Sequence, residues 1–281
     1  MLGHNLLPPS KSFYISAQFL YNIAMGMRIC SLSSGSKGNC IYVGTEKSSI
    51  LVDVGISLSK IKKCMEIFGA DLSQTDVFIT HTHVDHIKYL SQIAKHCRAV
   101  YCSPVVAQQI EQSAGYKTKI TDFDKIVGDV TVSSFGVSHD VPCQGYSFYH
   151  SSGKISIATD LGKVDETVFD ALMGSDLVML ESNHDPKMLA ANKAYPAYLK
   201  KRILSDRGHL CNDVCADVAL RLAVAGTRQF LLAHLSQENN TPQLAYNTIV
   251  GNLEANGIVE GADVSVEVAL QDRVTGIYEL V

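Results

Sequence analysis

Six consecutive residues, His81-Thr82-His83-Val84-Asp85-His86, hold four side chains able to bind a metal ion. Three of the ten histidines of this 281-residue chain fall in that window together with a carboxylate, a concentration that argues against a solvated loop that is histidine-rich by accident. Neutral imidazoles with a carboxylate suit zinc, manganese or iron, whereas an all-oxygen set would suit magnesium or calcium. The window directly follows the short apolar run Asp76–Ile79, and strand ends spilling into loops are where rigid scaffolds hold functional groups.

The elements that must carry this cluster alternate short apolar runs with amphipathic stretches. Met27–Leu32, Asn39–Val43 and Ser49–Val54 read as strands, parted by the turn-rich Ser33-Ser34-Gly35-Ser36-Lys37-Gly38 and by residues 44–47. Residues 56–68 have helical periodicity ending at Gly69, and a helix, strand and helix are expected through Gln112. Strands follow at Val130–Phe135, Gln144–Tyr149 and Ile155–Ala158. The second half repeats the alternation: a strand at Asp176–Leu180, a helix at Leu189–Leu204 broken at Pro196, and a helix at Asp213–Ala225 capped by Asn212. A strand at Phe230–Ala233, a helix at Thr241–Ala255 with Pro242 in its first turn, and strands near Val264–Ala269 and residues 276–280 complete it. Two comparable halves of this kind predict an α/β protein with two sheets sandwiched between helical layers, over residues 27–281.

The hexapeptide resembles the HxHxDH signature of metallo-β-lactamase-fold hydrolases, and four further motifs stand in that family's order. These are Leu51-Val52-Asp53-Val54-Gly55, Gly136-Val137-Ser138-His139, Ala158-Thr159-Asp160-Leu161-Gly162 and Leu232-Ala233-His234-Leu235-Ser236. The resemblance runs from Met27 to the C-terminus and implies a four-layer αβ/βα sandwich of two mixed sheets. It further implies that His81, His83 and His139 bind one divalent transition metal ion, and that Asp85, His86 and His234 bind a second. Asp160 would bridge the two ions, Asp53 would orient a ligand from behind, and Asp85 would serve catalysis. A hydroxide held between two metals is a strong nucleophile at neutral pH, so no protein nucleophile is required. Zinc or manganese fits the ligand set, and iron is compatible with it. A redox di-iron branch of the fold carries glutamate where this chain has His83, which favours the hydrolytic branch.

Further stretches resemble the YycJ/WalJ group, 5′-to-3′ exonucleases of double-stranded DNA: residues 33–39, Glu181-Ser182-Asn183-His184-Asp185, Lys201-Arg202-Ile203-Leu204 and Gly208-His209-Leu210-Cys211-Asn212. The Gly208-His209 segment is also similar to the tRNA 3′-processing branch and implies His209 as a proton donor to the leaving group. Fewer than fifty residues separate Asp160 from His209, too few for the inserted domain of the larger nucleases of this fold. Independently of resemblance, residues 187–207 carry Lys187, Lys193, Lys200, Lys201, Arg202 and Arg207 against the single acid Asp206, with Tyr195 and Tyr198 interleaved. Such a segment can grip phosphates and stack a base, which makes Lys200, Lys201 and Arg202 candidate substrate contacts; the alternative is a solvated helix face. His184 either positions substrate or makes a structural hydrogen bond.

A net charge of −4 gives no global sign of nucleic-acid or membrane-surface binding, so a polyanion would need a local patch. The eight cysteines mostly sit in apolar stretches, and the one close pair, Cys211 and Cys215, has helical spacing without a second pair; reduced thiols in a cytoplasmic protein are expected. Residues 1–26 read as an N-terminal extension. Phe13–Met25 is mildly apolar but too short for a bilayer, leaving a weak signal peptide or a segment upstream of a start at Met25 or Met27. Two other functions compete with a nuclease: a hydrolase of thioesters, lactones or lactams with the same metals and no need of the basic segment, and a non-catalytic regulatory protein, which the full ligand set disfavours.

Overall fold

The computed structural model describes residues 26–120, 124–275 and 277–281; the expected N-terminal extension lies almost wholly outside the described residues. Among these, two mixed sheets of seven strands form. The first runs β14(Tyr278–Leu280)-β1(Met27–Ser33)-β2(Cys40–Gly44)-β3(Ser49–Val52)-β4(Asp76–Phe78)-β5(Ala99–Cys102)-β6(Lys119–Ile120). The second runs β13(Ser265–Val268)-β12(Gln229–Ala233)-β11(Leu177–Glu181)-β10(Gly153–Ala158)-β9(Cys143–His150)-β8(Val130–Val137)-β7(Lys125–Val127).

Side-chain alternation along the strands builds the layers. Ile29, Val43, Val52 and Phe78 of the first sheet meet Tyr146, Ile157, Met179 and Leu231 of the second in one fully buried core. Their neighbours point the other way. Cys30, Leu32, Leu51 and Val77 pack under α1 (Leu58–Ile67), α3 (Leu90–Ile93) and α4 (Pro104–Ala114). Val178, Leu180, Phe230 and Leu232 pack under α5 (Glu166–Leu172), α8 (Asn212–Val224) and α9 (Pro242–Ala255). Burial on both faces explains why these strands read as continuous apolar runs. The result is the expected αβ/βα sandwich.

Several elements differ from the sequence reading. The helical stretch expected at Leu189–Leu204 with a break at Pro196 is indeed interrupted, but it begins earlier and stops sooner: α6 (Pro186–Ala191), capped by Asp185, ends at Ala191, and Pro196 is the N-cap of α7 (Ala197–Ile203). Asn212 does not cap α8. Cys211 occupies the cap position, and Asn212 turns inward, where its side chain accepts from Ser182 and donates to Asn240. Pro242 does open α9, with Thr241 accepting from the Leu244 amide. All eight cysteines are free thiols.

Strand direction sets where functional groups can gather. Strands β3 and β4 are parallel, as are β10, β11 and β12, so their C-terminal ends emerge together at one edge of each sheet. Strand β8, two antiparallel steps from β10, ends on the same side. The two edges are joined directly: Gln144 N donates to Thr80 O at 3.2 Å, and His234 N to Ser34 Oγ at 2.9 Å.

The loop after β4 is pinned by close backbone approach. Val54 N donates to His86 O at 2.7 Å and Asn39 N to Asp85 O at 2.8 Å. A methyl added at Gly55 would overlap the Asp85 carbonyl. Gly55→Ala is therefore expected to destabilise the fold by the roughly 1–3 kcal/mol typical of overpacking, on the order of 2–10 °C in melting temperature. A thermal melt unchanged from wild type would show that the loop yields freely.

Candidate metal centre

Every sequence-derived ligand candidate arrives at that shared edge. The tight turn after β4 delivers His81 and His83, and the single helical turn α2 (Val84–Ile87) presents Asp85 and His86. Strand β8 delivers His139 two residues past its end, β10 delivers Asp160 likewise, and β12 delivers His234 one residue past its end. His81, His83 and His139 converge with ring centroids 4.6–5.2 Å apart. Asp85, His86 and His234 form a second group, with Asp85 Oδ2 3.5 Å from His86 Nε2 and 3.7 Å from His234 Nε2. Asp160 stands between them: Oδ2 is 3.2 Å from His86 Nε2, Oδ1 is 3.5 Å from His234 Nδ1, and the residue also groups with His81.

The backbone is strained to achieve this. Asp53, Asp160 and His234 all adopt left-handed φ angles of 56–59°, each just past a strand end. For side chains other than glycine such angles are uncommon, and strain of this kind concentrates at functional sites.

The donors fit divalent ions. His81 Nε2, Asp160 Oδ2 and His234 Nε2 are buried without a hydrogen-bond partner, and such atoms are costly unless something outside the chain satisfies them. The charge pattern calls for cations. Burial alone would raise Asp85, but hydrogen bonds from His234 and His86 outweigh it and hold the carboxyl far below the carboxylate range. Asp160 is likewise depressed, with burial overcome by the charges of His234 and His86. Burial would lower His234, yet Asp160, Asp85 and Glu181 push it up to about 10. Positive charge on these nitrogens is what the cluster of carboxylates favours, and a metal ion supplies it.

The far sides of the rings are anchored. Asp53 Oδ2 accepts from His86 Nδ1 at 2.7 Å, and its two oxygens also accept from the Thr80 amide (2.9 Å) and hydroxyl (2.8 Å). Glu181, the last residue of β11, has no functional role in the sequence reading beyond its place in a motif. Wholly buried, its Oε1 accepts from His209 Nδ1 at 2.9 Å and His234 Nδ1 at 2.8 Å, and Oε2 accepts from the Leu161 and Leu210 amides. Burial would raise Glu181, but His209 and His234 hold it at about 2. An acid ending the otherwise apolar run Leu177-Val178-Met179-Leu180 is the signal that sequence offers. Asn39, also unassigned, donates to Asp85 Oδ2 at 3.1 Å while accepting from Gly35 N, so the glycine-serine loop steadies Asp85.

His209 lies against the centre with its ring centroid 5.4 Å from that of His139 and 5.3 Å from that of His234. Burial would lower its pKa, but Glu181 and Asp160 raise it above the ordinary histidine value. Because Nδ1 is engaged by Glu181, Nε2 is the nitrogen left to face a ligand. His184 is different: it is 1 % exposed, outside every ligand group, bonded to Asn183 Oδ1 at 3.3 Å, and pushed by burial down to about 4.

The basic segment reaches the centre unevenly. Arg202 Nη2 pairs with Asp140 Oδ2 at 2.5 Å, beside His83 and His139. Arg207 donates to the His139 and Asp140 carbonyls. Lys200 instead donates to the Ala190 carbonyl at 2.6 Å, and Lys201 is exposed. Beside His139 and Arg207 an open cavity of about 410 Å³ is lined by Ser103, Phe135, Val137 and Pro142 among others.

A family model described as a β-lactamase superfamily domain matches residues 49–235. This chain belongs to the metallo-β-lactamase superfamily. It is 36 % identical to exodeoxyribonuclease YycJ of Bacillus anthracis over 249 residues, covering 84 % of this chain and 93 % of the relative. It is 34 % identical to exodeoxyribonuclease WalJ of Streptococcus pneumoniae over 268 residues, covering 91 % and 99 %. Among solved structures, the metallo-β-lactamase-fold protein YhfI from Bacillus subtilis superposes with a TM-score of 0.66 at 18 % identity, covering 90 % of this chain and 99 % of that one, which supports the fold. Within the superfamily the chain groups with YycJ and WalJ, and it is a metal-dependent hydrolase. Among the described residues no helix is long and apolar enough to cross a membrane.

Proposed function

We propose that this hydrolase cleaves DNA phosphodiesters from the 5′ end of a duplex, using two divalent ions, zinc or manganese, in the reducing cytoplasm. The observation that carries this reading is the near full-length similarity to two relatives named exodeoxyribonucleases. The placement of Arg202 at the rim of the metal centre supports it from the structural side.

In this reading His81, His83 and His139 hold one ion, Asp85, His86 and His234 the other, and Asp160 serves both. When bound, the ions supply Lewis acidity toward a phosphoryl oxygen and activation of water for attack on phosphorus. Asp53 and Glu181 keep His86 and His234 in one tautomer and orientation. As the bond from phosphorus to the leaving oxygen breaks, His209 delivers its Nε2 proton to that oxygen, and Glu181 stabilises the charge on the ring beforehand. Tyr198, 76 % exposed on α7 one helical turn before Arg202, offers a face for stacking a base.

The test uses blunt, 5′-phosphorylated duplex DNA with manganese or zinc, followed on a gel. Shortening from the 5′ end is expected. Replacing Lys200 and Lys201 together by alanine should weaken DNA binding and flatten its salt dependence, by about one unit of slope for each phosphate that is no longer neutralised. Unchanged affinity and slope would reduce that pair to a solvated helix face. Cleavage of a lactone or thioester with no cleavage of nucleic acid would replace the nuclease reading by the small-molecule one.

A further inference from the structure

Each histidine of the centre turns one ring nitrogen inward and anchors the other. His86 rests on Asp53 and His234 on Glu181, both enclosed. His81 Nδ1 meets Thr80 Oγ1 at 3.0 Å, and His139 Nδ1 meets the Gly208 carbonyl at 3.3 Å. His83 differs. Its Nδ1 faces His139 Nε2 at 3.3 Å, and its Nε2 lies 3.3 Å from Asp140 Oδ1, a buried oxygen that is also 3.2 Å from His139 Nε2 and has no hydrogen-bond partner. Asp140, 27 % exposed, is the partly solvent-accessible carboxylate beside the set, and Arg202, 54 % exposed, pairs with its second oxygen.

The surroundings divide what is fixed from what can move. Arg207 Nε and Nη2 donate to the carbonyls of His139 and Asp140 at 2.9 Å each, so the Asp140 backbone is clamped to the ligand histidine before it. Arg202 comes from the last turn of α7, an exposed side chain whose guanidinium is held by that one carboxylate. A phosphate group is a strong competitor for a guanidinium, because it can accept two parallel hydrogen bonds and carries more charge than a carboxylate.

We propose that Asp140 is the positioning residue for the His83–His139 pair, and that the Asp140–Arg202 pair is a latch coupling phosphate at the rim of the site to the ion held by His81, His83 and His139. With Arg202 in place the charge of Asp140 is offset. When a phosphate draws Arg202 away, the full charge of Asp140 acts on the His83 and His139 rings 3.2–3.3 Å away, and the site they line attracts a cation more strongly. Phosphate binding therefore tightens the ion, and by reciprocity the ion tightens phosphate. The ligand chemistry is a phosphate monoester, either the 5′ end of a nucleic acid or free phosphate.

This inference rests on the metal-centre reading above, and the experiment separates the two. Metal-free protein is titrated with cobalt(II), read by its visible absorption and by competition with a chelator, in wild type, Asp140→Asn, Arg202→Ala and Arg202→Lys. Asp140→Asn is expected to weaken one site by a factor on the order of 10–100, as loss of an outer partner does, and to leave the other within a few-fold. Added inorganic phosphate should tighten that site severalfold more in wild type than in Arg202→Ala or Asp140→Asn, with Arg202→Lys falling short of wild type. Phosphate binding the ions directly would tighten all four proteins alike, so equal tightening overturns the latch. So does wild-type affinity at both sites in Asp140→Asn. A cleavage-resistant phosphorothioate duplex with and without its 5′-phosphate then tells a DNA end from free phosphate. If wild-type protein takes up no cobalt, the metal-centre reading itself falls and takes the latch with it.

Discussion

Asp160→Ala is expected to yield a folded protein depleted of both divalent ions, with turnover reduced at least about 10³-fold. Its carboxylate lies 3.2 Å from His86 Nε2 and 3.5 Å from His234 Nδ1, ligands of one proposed site, and groups with His81 of the other, so its removal is expected to degrade both sites together. Metal ions contribute several kcal/mol of transition-state stabilisation, and each 1.36 kcal/mol is about tenfold in rate. Asp85→Ala supplies the contrast. Asp85 pairs only with His86 and His234 among the histidines of the cluster, so it should weaken one site, spare the His81–His83–His139 group and still abolish most turnover. Elemental analysis of both variants decides the matter. Full occupancy in Asp160→Ala would remove the bridge from the assignment, and equal depletion in the two would remove the distinction between them.

His209→Ala should keep its metals and lose activity by a factor on the order of 10²–10⁴, the usual contribution of a general acid. Its Nδ1 donates to the Glu181 oxygen that also anchors His234, and the ring packs beside His139 and His234, which leaves Nε2 to carry a proton toward a bound substrate. His209 nevertheless stands within ligand reach of Asp160 and His234. Metal content of the variant therefore discriminates: retained ions with slow turnover fit a proton donor, lost ions make His209 a ligand, and wild-type turnover makes it structural. A leaving group needing no proton, such as nitrophenolate on a phosphodiester, should narrow the gap between His209→Ala and wild type.

The hexapeptide is legible without a structure because its candidate ligands are local: four donors within six residues need no tertiary information. Asp160 and His234 are single residues in ordinary apolar surroundings, and only the order of motifs marks them. Glu181 stays hidden for a physical reason. Its role is created by two partners 28 and 53 residues away that fold down on the end of β11. Charge runs show a different limit. Lys200 and Arg202 are near neighbours in sequence, yet two residues on a helix point about 200° apart, a geometry that follows from 3.6 residues per turn. One reaches the Ala190 carbonyl and the other the metal rim. Of the architecture, the layers are readable from apolar periodicity, whereas β6, β7 and α5 are two, three and seven residues long and too short to display any.

Asp53, Asp160 and His234 carry left-handed backbone angles that glycine adopts freely and that residues with a Cβ resist. Each such residue stores on the order of 1–3 kcal/mol, with aspartate toward the lower end because its short polar side chain tolerates the region better. Conformational tension and chemistry are thus lodged in the same three positions. Directed evolution for heat tolerance alone would be rewarded for placing glycine or asparagine there, and would arrive at a sturdier protein stripped of two proposed ligands and of the carboxylate that holds His86. Any campaign to harden this hydrolase has to score turnover in every round, or hold those three codons constant.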